Sequence, residues 1–138
     1  QHSERVIAPA LGRGAVVLSD RYADSTTVYQ GMARGMNMDF IHALHRESTA
    51  GCWPHLTFLL DIPPREGLAR TRARGGAGTY DRFESEPRAF HRRVREGFLR
   101  LARSEPERFR VLVTSEAATS VHSRIVRECR DVLHRRNT

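Results

Sequence analysis

The stretch Ala15-Val16-Val17-Leu18-Ser19-Asp20-Arg21 carries the clearest sign of the fold. Four consecutive apolar residues are typical of a strand that a parallel sheet buries on both faces. Polar residues begin where this run stops. The same pattern recurs at Leu56–Asp61, and a third apolar run covers Phe109–Val113. The sequence therefore predicts three parallel strands.

Residues with helical periodicity fill the intervals between these runs. The predicted helices cover His2–Leu11, Thr26–Arg34, a segment capped by Asn37, a segment from Pro63 to Arg74, Ser85–Arg103 and a last segment that begins before Val121. Strands that alternate with helices indicate an α/β fold, a parallel sheet with helices on both faces, and we predict a single domain over residues 1–138. Ligands in such folds bind at the carboxyl ends of the strands, where Asp20, Asp61 and Thr114 fall.

The composition excludes several classes of protein. All 23 basic residues are arginine, and the net charge of +7 favours anionic partners. Without lysine the chain can hold neither a Schiff base nor the phosphate-binding lysine of a Walker A loop. No apolar run approaches the ~20 residues of a membrane span. Cys52 and Cys129 lack metal-ligand spacing, so we expect two buried thiols in a reducing, cytoplasmic location.

Asp20 and Arg21 are the first candidates for binding chemistry. A guanidinium can fork onto a phosphate, and a neighbouring carboxylate can hold a hydrated Mg²⁺. The alternative is a surface ion pair that contributes little. Both interpretations remain open from these two residues alone.

Two further groups of residues allow either a functional or a purely structural interpretation. Thr26, Tyr29 and Gln30 have the spacing to flank a planar heterocycle, or they are incidental polar residues at a helix start. Arginines surround a glycine-rich loop that would move as a lid: Arg65, Arg70, Arg72, Arg74 and Arg82. A lid arginine can stabilise a transferring phosphoryl group. The same cluster also fits a solvated basic helix or a nucleic-acid patch.

Taken in order, these motifs resemble bacterial thymidylate kinase across essentially the whole chain. The resemblance rests on Val16–Tyr22 with Asp24-Ser25-Thr26 and Tyr29-Gln30-Gly31, on Pro54–Ile62, and on Gly67-Leu68-Ala69-Arg70 with Asp81-Arg82-Phe83-Glu84. It implies a P-loop-kinase-like fold. It also implies transfer of the γ-phosphoryl group of ATP to dTMP, giving dTDP and ADP, with Mg²⁺ as cofactor.

The resemblance assigns a role to each candidate residue. Arg21 would bind the phosphate of dTMP, and Asp20 would position that phosphate and a metal ion through water. The remaining dTMP contacts would be Ser25, Thr26, Tyr29 and Gln30. A lid over about residues 70–85 would bring Arg74, or in second place Arg70, to the ATP phosphates as a catalytic group, with Arg72 and Arg82 beside them. The region 114–119 would lie near adenine.

One part of the family pattern is absent from the sequence. The family begins with a strand and a glycine-rich P-loop that ends in Gly-Lys-Ser/Thr, and this chain contains neither. We therefore expect the 138-residue chain alone to be inactive and poorly folded. The resemblance also implies a homodimer whose partners are nucleotides, not nucleic acid or membrane. A non-catalytic dTMP-binding remnant and an arginine-rich nucleic-acid-binding protein remain the alternatives.

Overall fold

The computed structural model describes residues 1–74 and 86–136, with the backbone alone at positions 72, 74, 135 and 136. Two compact units, Gln1–Pro54 and His55–Thr138, make up the chain. The helices are α1 (Ala8–Gly12), α2 (Ala23–Thr26), α3 (Met38–Thr49), α4 (Pro64–Arg74), α5 (Arg88–Ser104) and α6 (Ala118–Arg136), with π-helical turns at Ser3–Ile7 and Thr27–Met32. The strands are β1 (Thr57–Asp61) and β2 (Phe109–Val113).

Close packing between the second π-helical turn and α3 forms the core of the first unit. Val28 of the turn and Ile41 of α3 are fully buried. Gly31 permits the close approach, because a Cβ at this position would collide with Met38 Sδ and lie 3.0 Å from Ile41 Cδ1. The predicted helix over Thr26–Arg34 is thus present, although it begins earlier and most of it is π-helical.

Helix α3 begins as its sequence predicts. The Asn37 side chain accepts a hydrogen bond from the Phe40 amide at 2.9 Å, which caps the first turn. Ile41 and His45 are buried one turn apart, whereas Phe40 and Leu44 remain 57% and 45% exposed. The buried face is therefore narrower than the apolar pattern indicates.

The prediction of a strand at Ala15–Leu18 is wrong. The segment is in no sheet of the described residues, and Val16 and Leu18 are 66% and 89% exposed. A strand requires hydrogen bonds to a neighbouring strand, and an apolar run specifies no such neighbour. The sheet of the described residues consists of β1 and β2, which pair with each other.

The second unit is built on that parallel pair. The register runs from Thr57 opposite Phe109 to Asp61 opposite Val113, which confirms two predicted strands and a parallel sheet with helices. The buried Arg108 guanidinium donates to both carboxylate oxygens of Glu105, at 2.8 and 2.9 Å, and to Thr57 Oγ1 at 2.9 Å. These bonds fix the entry to β2 against the start of β1.

The helices of this unit follow the predicted pattern. Helix α5 buries Phe90 and Val94, and α6 buries Val121. Cys52 and Cys129 are unbridged, but both are partly exposed and not buried as predicted. Among the described residues, no helix combines the length and the apolar composition that a bilayer crossing requires.

Candidate functional site

Arg21 has a backbone conformation that side chains rarely adopt. Its φ of 66° lies in the left-handed region, and its carbonyl accepts a 2.8 Å hydrogen bond from Ser19 Oγ. Tyr22, the next residue, is anchored by a 2.9 Å hydrogen bond between its hydroxyl and Ser3 Oγ. Backbone strain of this kind persists where surrounding contacts enforce it, and it is concentrated at binding sites.

The Arg21 side chain lies against Tyr29. Its Cζ is 5.4 Å from the centroid of the Tyr29 ring, within the range of a cation–π contact. The guanidinium remains exposed, so its donors can reach an anion from solvent. The structure thus brings together two residues that the sequence predicts as neighbours in a phosphate and nucleoside site.

The remaining predicted contacts lie on α2 and the π-helical turn that continues it. Ser25, Thr26, Tyr29 and Gln30 are all half-buried, which leaves part of each side chain accessible. Thr27 and Val28, which lie between them in sequence, face the core. A π-helical turn is a rare element that often occurs at functional sites.

Asp20 is the predicted water-mediated metal position, and its carboxylate is exposed beside Arg21. In the part of the chain that the structure describes, no group of three or more His, Cys, Asp or Glu residues could hold a metal ion. Mg²⁺ commonly keeps several waters and binds through one or two carboxylates plus substrate phosphates. The single exposed carboxylate of Asp20 therefore fits a hydrated Mg²⁺ that also binds substrate phosphates, and it does not fit an ion held by protein ligands alone.

A second polar cluster lies at the carboxyl ends of β1 and β2. Arg95 Nε donates to Asp61 Oδ1 at 2.7 Å and Arg95 Nη2 donates to Asp61 Oδ2 at 2.8 Å, a forked ion pair. The Asp61 side chain is only 11% exposed. The hydrogen bond that Arg95 donates to this carboxylate, together with the negative charge of Asp61, raises the pKa of the Arg95 guanidinium above its ordinary value despite partial burial.

This cluster also contains Arg70, one of the predicted lid arginines. Thr114, directly after β2, donates to the Asp61 carbonyl through its amide at 2.9 Å and through Oγ1 at 3.1 Å. Arg70 Nη2 in turn donates to the Thr114 carbonyl at 2.9 Å while its side chain stays exposed. Arg70 therefore lies at the strand ends, where the fold predicts ligand binding.

The rest of the predicted lid is only partly described. Residues 70–74 form the end of α4. The structure does not describe the side chains of Arg72 and Arg74. Residues 75–85, which include Arg82, also lie outside the described part of the chain.

Sequence reasoning missed Arg95 of the second cluster and His45 of α3, whose Nε2 lies 3.0 Å from Thr27 Oγ1. Arg95 is one of several arginines on α5, and nothing in the local pattern distinguishes it as the partner of a carboxylate 34 positions away. His45 carried a usable signal, because it lies one helical turn after Ile41 on the apolar face of α3. A histidine at such a position needs a buried hydrogen-bond partner.

The chain resembles known proteins over almost its full length. The profile of the thymidylate kinase family matches residues 1–125. The thymidylate kinase of Nitratidesulfovibrio vulgaris is 47% identical over 137 residues, which cover 96% of this chain and 64% of that protein. The thymidylate kinase of Desulfosudis oleivorans is 48% identical over 130 residues, covering 91% and 61% of the two chains.

A solved structure agrees with these sequences. The crystal structure of thymidylate kinase from Ehrlichia chaffeensis superposes with a TM-score of 0.68 at 25% identity, covering 94% of this chain and 57% of that one. The present chain thus spans less than two thirds of the length of each of these three proteins.

Proposed function

This chain belongs to the thymidylate kinase family, and we propose that its protein transfers the γ-phosphoryl group of ATP to dTMP, giving dTDP and ADP. The observation that carries the proposal is the position of Arg21. Its guanidinium is exposed, lies over Tyr29 and extends from a strained left-handed backbone. The guanidinium is planar and charged, and it can donate two parallel hydrogen bonds to two oxygens of a phosphate group.

The residues that we propose for dTMP binding belong to the first unit. Arg21 binds the phosphate of dTMP, and Tyr29 packs against the sugar. Thr26 and Gln30 provide hydrogen-bonding groups for thymine, with Ser25 beside them. Because these side chains are half-buried, they lose little conformational freedom when the nucleotide binds.

Asp20 is the residue of the described part that would position the metal ion through water. When bound, Mg²⁺ neutralises charge on the phosphate oxygens during transfer. Asp20 would hold such an ion through water molecules, and its exposed carboxylate lies next to Arg21 in the sequence. The adjacent Ser19 hydroxyl holds the backbone of Arg21 in the required conformation.

For the ATP phosphates we propose the lid arginines, with Arg74 in the first place and Arg70 in the second, assisted by Arg72 and Arg82. In this structure Arg70 donates to a neutral carbonyl, that of Thr114. A phosphate oxygen is a stronger acceptor than a carbonyl, so an incoming nucleotide would compete for this guanidinium. The segment 114–119 would lie near the adenine of ATP.

The test measures binding and turnover separately. Calorimetry with dTMP and with ATP, and an assay of ADP formation, are run on the 138-residue chain and on the complete product of its gene. ADP formation that depends on dTMP supports the kinase. Binding of dTMP without turnover by the complete product would make the protein a dTMP-binding remnant. Salt-dependent binding of DNA with no nucleotide binding would identify a nucleic-acid-binding protein instead.

We also propose that the protein works as a homodimer in the cytoplasm, with nucleotides rather than nucleic acid or membrane as its partners. Sedimentation of the gene product at micromolar concentration would show a dimer. A monomer at that concentration would contradict this part of the proposal.

A further inference from the structure

The turn that carries the proposed dTMP contacts has a second, buried face. Tyr29 and Gln30 are half-buried, whereas Thr27 and Val28 are 6% and 0% exposed. Because all of these residues belong to one hydrogen-bonded π-helical turn, a rotation of the turn would move both faces together. Contacts on the buried face therefore decide where the exposed side chains lie.

His45 of α3 is the polar partner of that buried face. The residue is 7% exposed, and its Nε2 lies 3.0 Å from Thr27 Oγ1. The same hydroxyl donates to the Ala23 carbonyl at 3.4 Å. Because the Thr27 hydroxyl donates its single proton to that carbonyl, Oγ1 can accept a hydrogen bond from the Nε2–H group of His45. The Trp53 ring lies at a centroid distance of 6.0 Å and packs on the imidazole.

The surroundings favour a neutral imidazole. Burial lowers the pKa of His45 below its usual value of 6.5, and the nearby His42 lowers it further, while Asp24 of α2 opposes both effects. Arg46 also lies on α3, next to His45 in sequence. At pH 7 the ring is therefore uncharged and acts through its hydrogen bond.

Apolar packing and the hydrogen bond constrain the turn in different ways. The close approach of Gly31 to Met38 and Ile41 fixes the distance between the turn and α3. A hydrogen bond has a preferred angle as well as a length. The bond between Thr27 and His45 therefore adds a directional constraint to that packing.

We infer that His45 is a positioning residue for the dTMP site. Through its hydrogen bond with Thr27 it fixes the π-helical turn that carries Tyr29 and Gln30. The inference rests on the proposed function. It predicts that loss of the bond weakens dTMP binding without affecting ATP binding.

The test uses three variants of the complete gene product: His45→Phe, Thr27→Val and the double variant. Each single change should raise KM for dTMP about three- to tenfold, the range that corresponds to one neutral hydrogen bond. KM for ATP and kcat should change less than twofold. Thr49→Val is the matched control, since Thr49 is also buried on α3 and has no bond to the turn.

The double variant separates positioning from mere stability. Replacing both polar partners by apolar groups removes the unpaired atom and restores much of the unfolding free energy. Positioning predicts that KM for dTMP nevertheless stays raised in the double variant. A KM that recovers together with stability would overturn the inference.

The two proposals can fail separately. If the unmodified protein does not bind dTMP in calorimetry, the proposed function fails. If it binds dTMP and Thr27→Val matches it within twofold, the positioning role fails while the function stands. Thr27→Val changes the shape of the side chain little, so this comparison remains available even if His45→Phe does not fold.

Discussion

Substituting Arg21 by glycine and by alanine separates its two features, the guanidinium and the left-handed backbone. Both variants lose the contact over Tyr29, which contributes about 0.5–1 kcal/mol at an exposed site. Only glycine relieves the strain at a φ of 66°, which costs an L-residue about 1–2 kcal/mol. The greater chain entropy of unfolded glycine offsets about 0.5–1 kcal/mol of this gain. Arg21→Gly should therefore be more stable than Arg21→Ala by about 0.5–1 kcal/mol.

Binding of dTMP should respond differently from stability. Both variants remove the charged donor from the proposed phosphate site, a loss of about 1.5–3 kcal/mol. This corresponds to a dissociation constant about ten- to hundredfold higher in each case. The glycine variant would thus combine nearly unchanged stability with strongly reduced affinity.

Urea unfolding followed by circular dichroism gives the stabilities, and titration calorimetry with dTMP gives the affinities. Arg13→Ala is the control, because Arg13 is an exposed arginine of the same unit outside the site. It should change neither quantity. An affinity loss below tenfold for Arg21→Ala would remove Arg21 from the phosphate site. A glycine variant less stable than the alanine variant would refute the argument from strain.

Other predictions concern the lid, the core and the ion pair. Arg74→Ala should lower kcat in steady-state assays at nearly unchanged dTMP affinity, and equal losses in both would contradict its role. Gly31→Ala should lower the free energy of unfolding in urea by about 1–3 kcal/mol through overpacking, whereas Gly12→Ala, with open space around it, should not. Arg95→Met should lower the free energy of unfolding in urea by about 1–2 kcal/mol, a moderate loss because solvent partly screens the exposed Arg95 side chain. Because the pKa of His45 is lowered in the folded state, the unfolded state binds the proton first as pH falls below 6.5. The free energy of unfolding should therefore decrease as the pH falls below 6.5. His45→Phe, which has no imidazole to protonate, should lack this decrease.

The two apolar runs that became strands show what the sequence alone can establish. Leu56–Leu60 and Phe109–Val113 have the same apolar character as Ala15–Leu18, yet only the first two lie in the sheet. Composition reports that a segment is able to form a strand. Whether it does so depends on a neighbour that offers backbone hydrogen bonds, and this neighbour is distant in sequence. Fold class could therefore be predicted, whereas the number of paired strands could not.

Helix caps and close contacts follow a different rule, because their partners are near in sequence. Asn37 caps α3 through the amide of Phe40, three residues later, and the prediction is confirmed. The pairing of Arg95 with Asp61 spans 34 residues and is selected among several arginines of one helix by the fold. Local chemistry thus determines where elements begin, while long-range chemistry determines which side chains meet.

The candidate site combines both kinds of information in one residue. The place of Arg21 directly after an apolar run makes it a candidate for phosphate binding, and the resemblance to thymidylate kinase implies that role. The left-handed backbone at Arg21 that directs its side chain over Tyr29 has no such signal, since arginine has no preference for positive φ. That conformation depends on Ser19, whose hydroxyl donates to the Arg21 carbonyl, and on Tyr22, which Ser3 anchors from another element. The candidate residue could therefore be chosen from the sequence, but the direction of its side chain depends on the surrounding contacts.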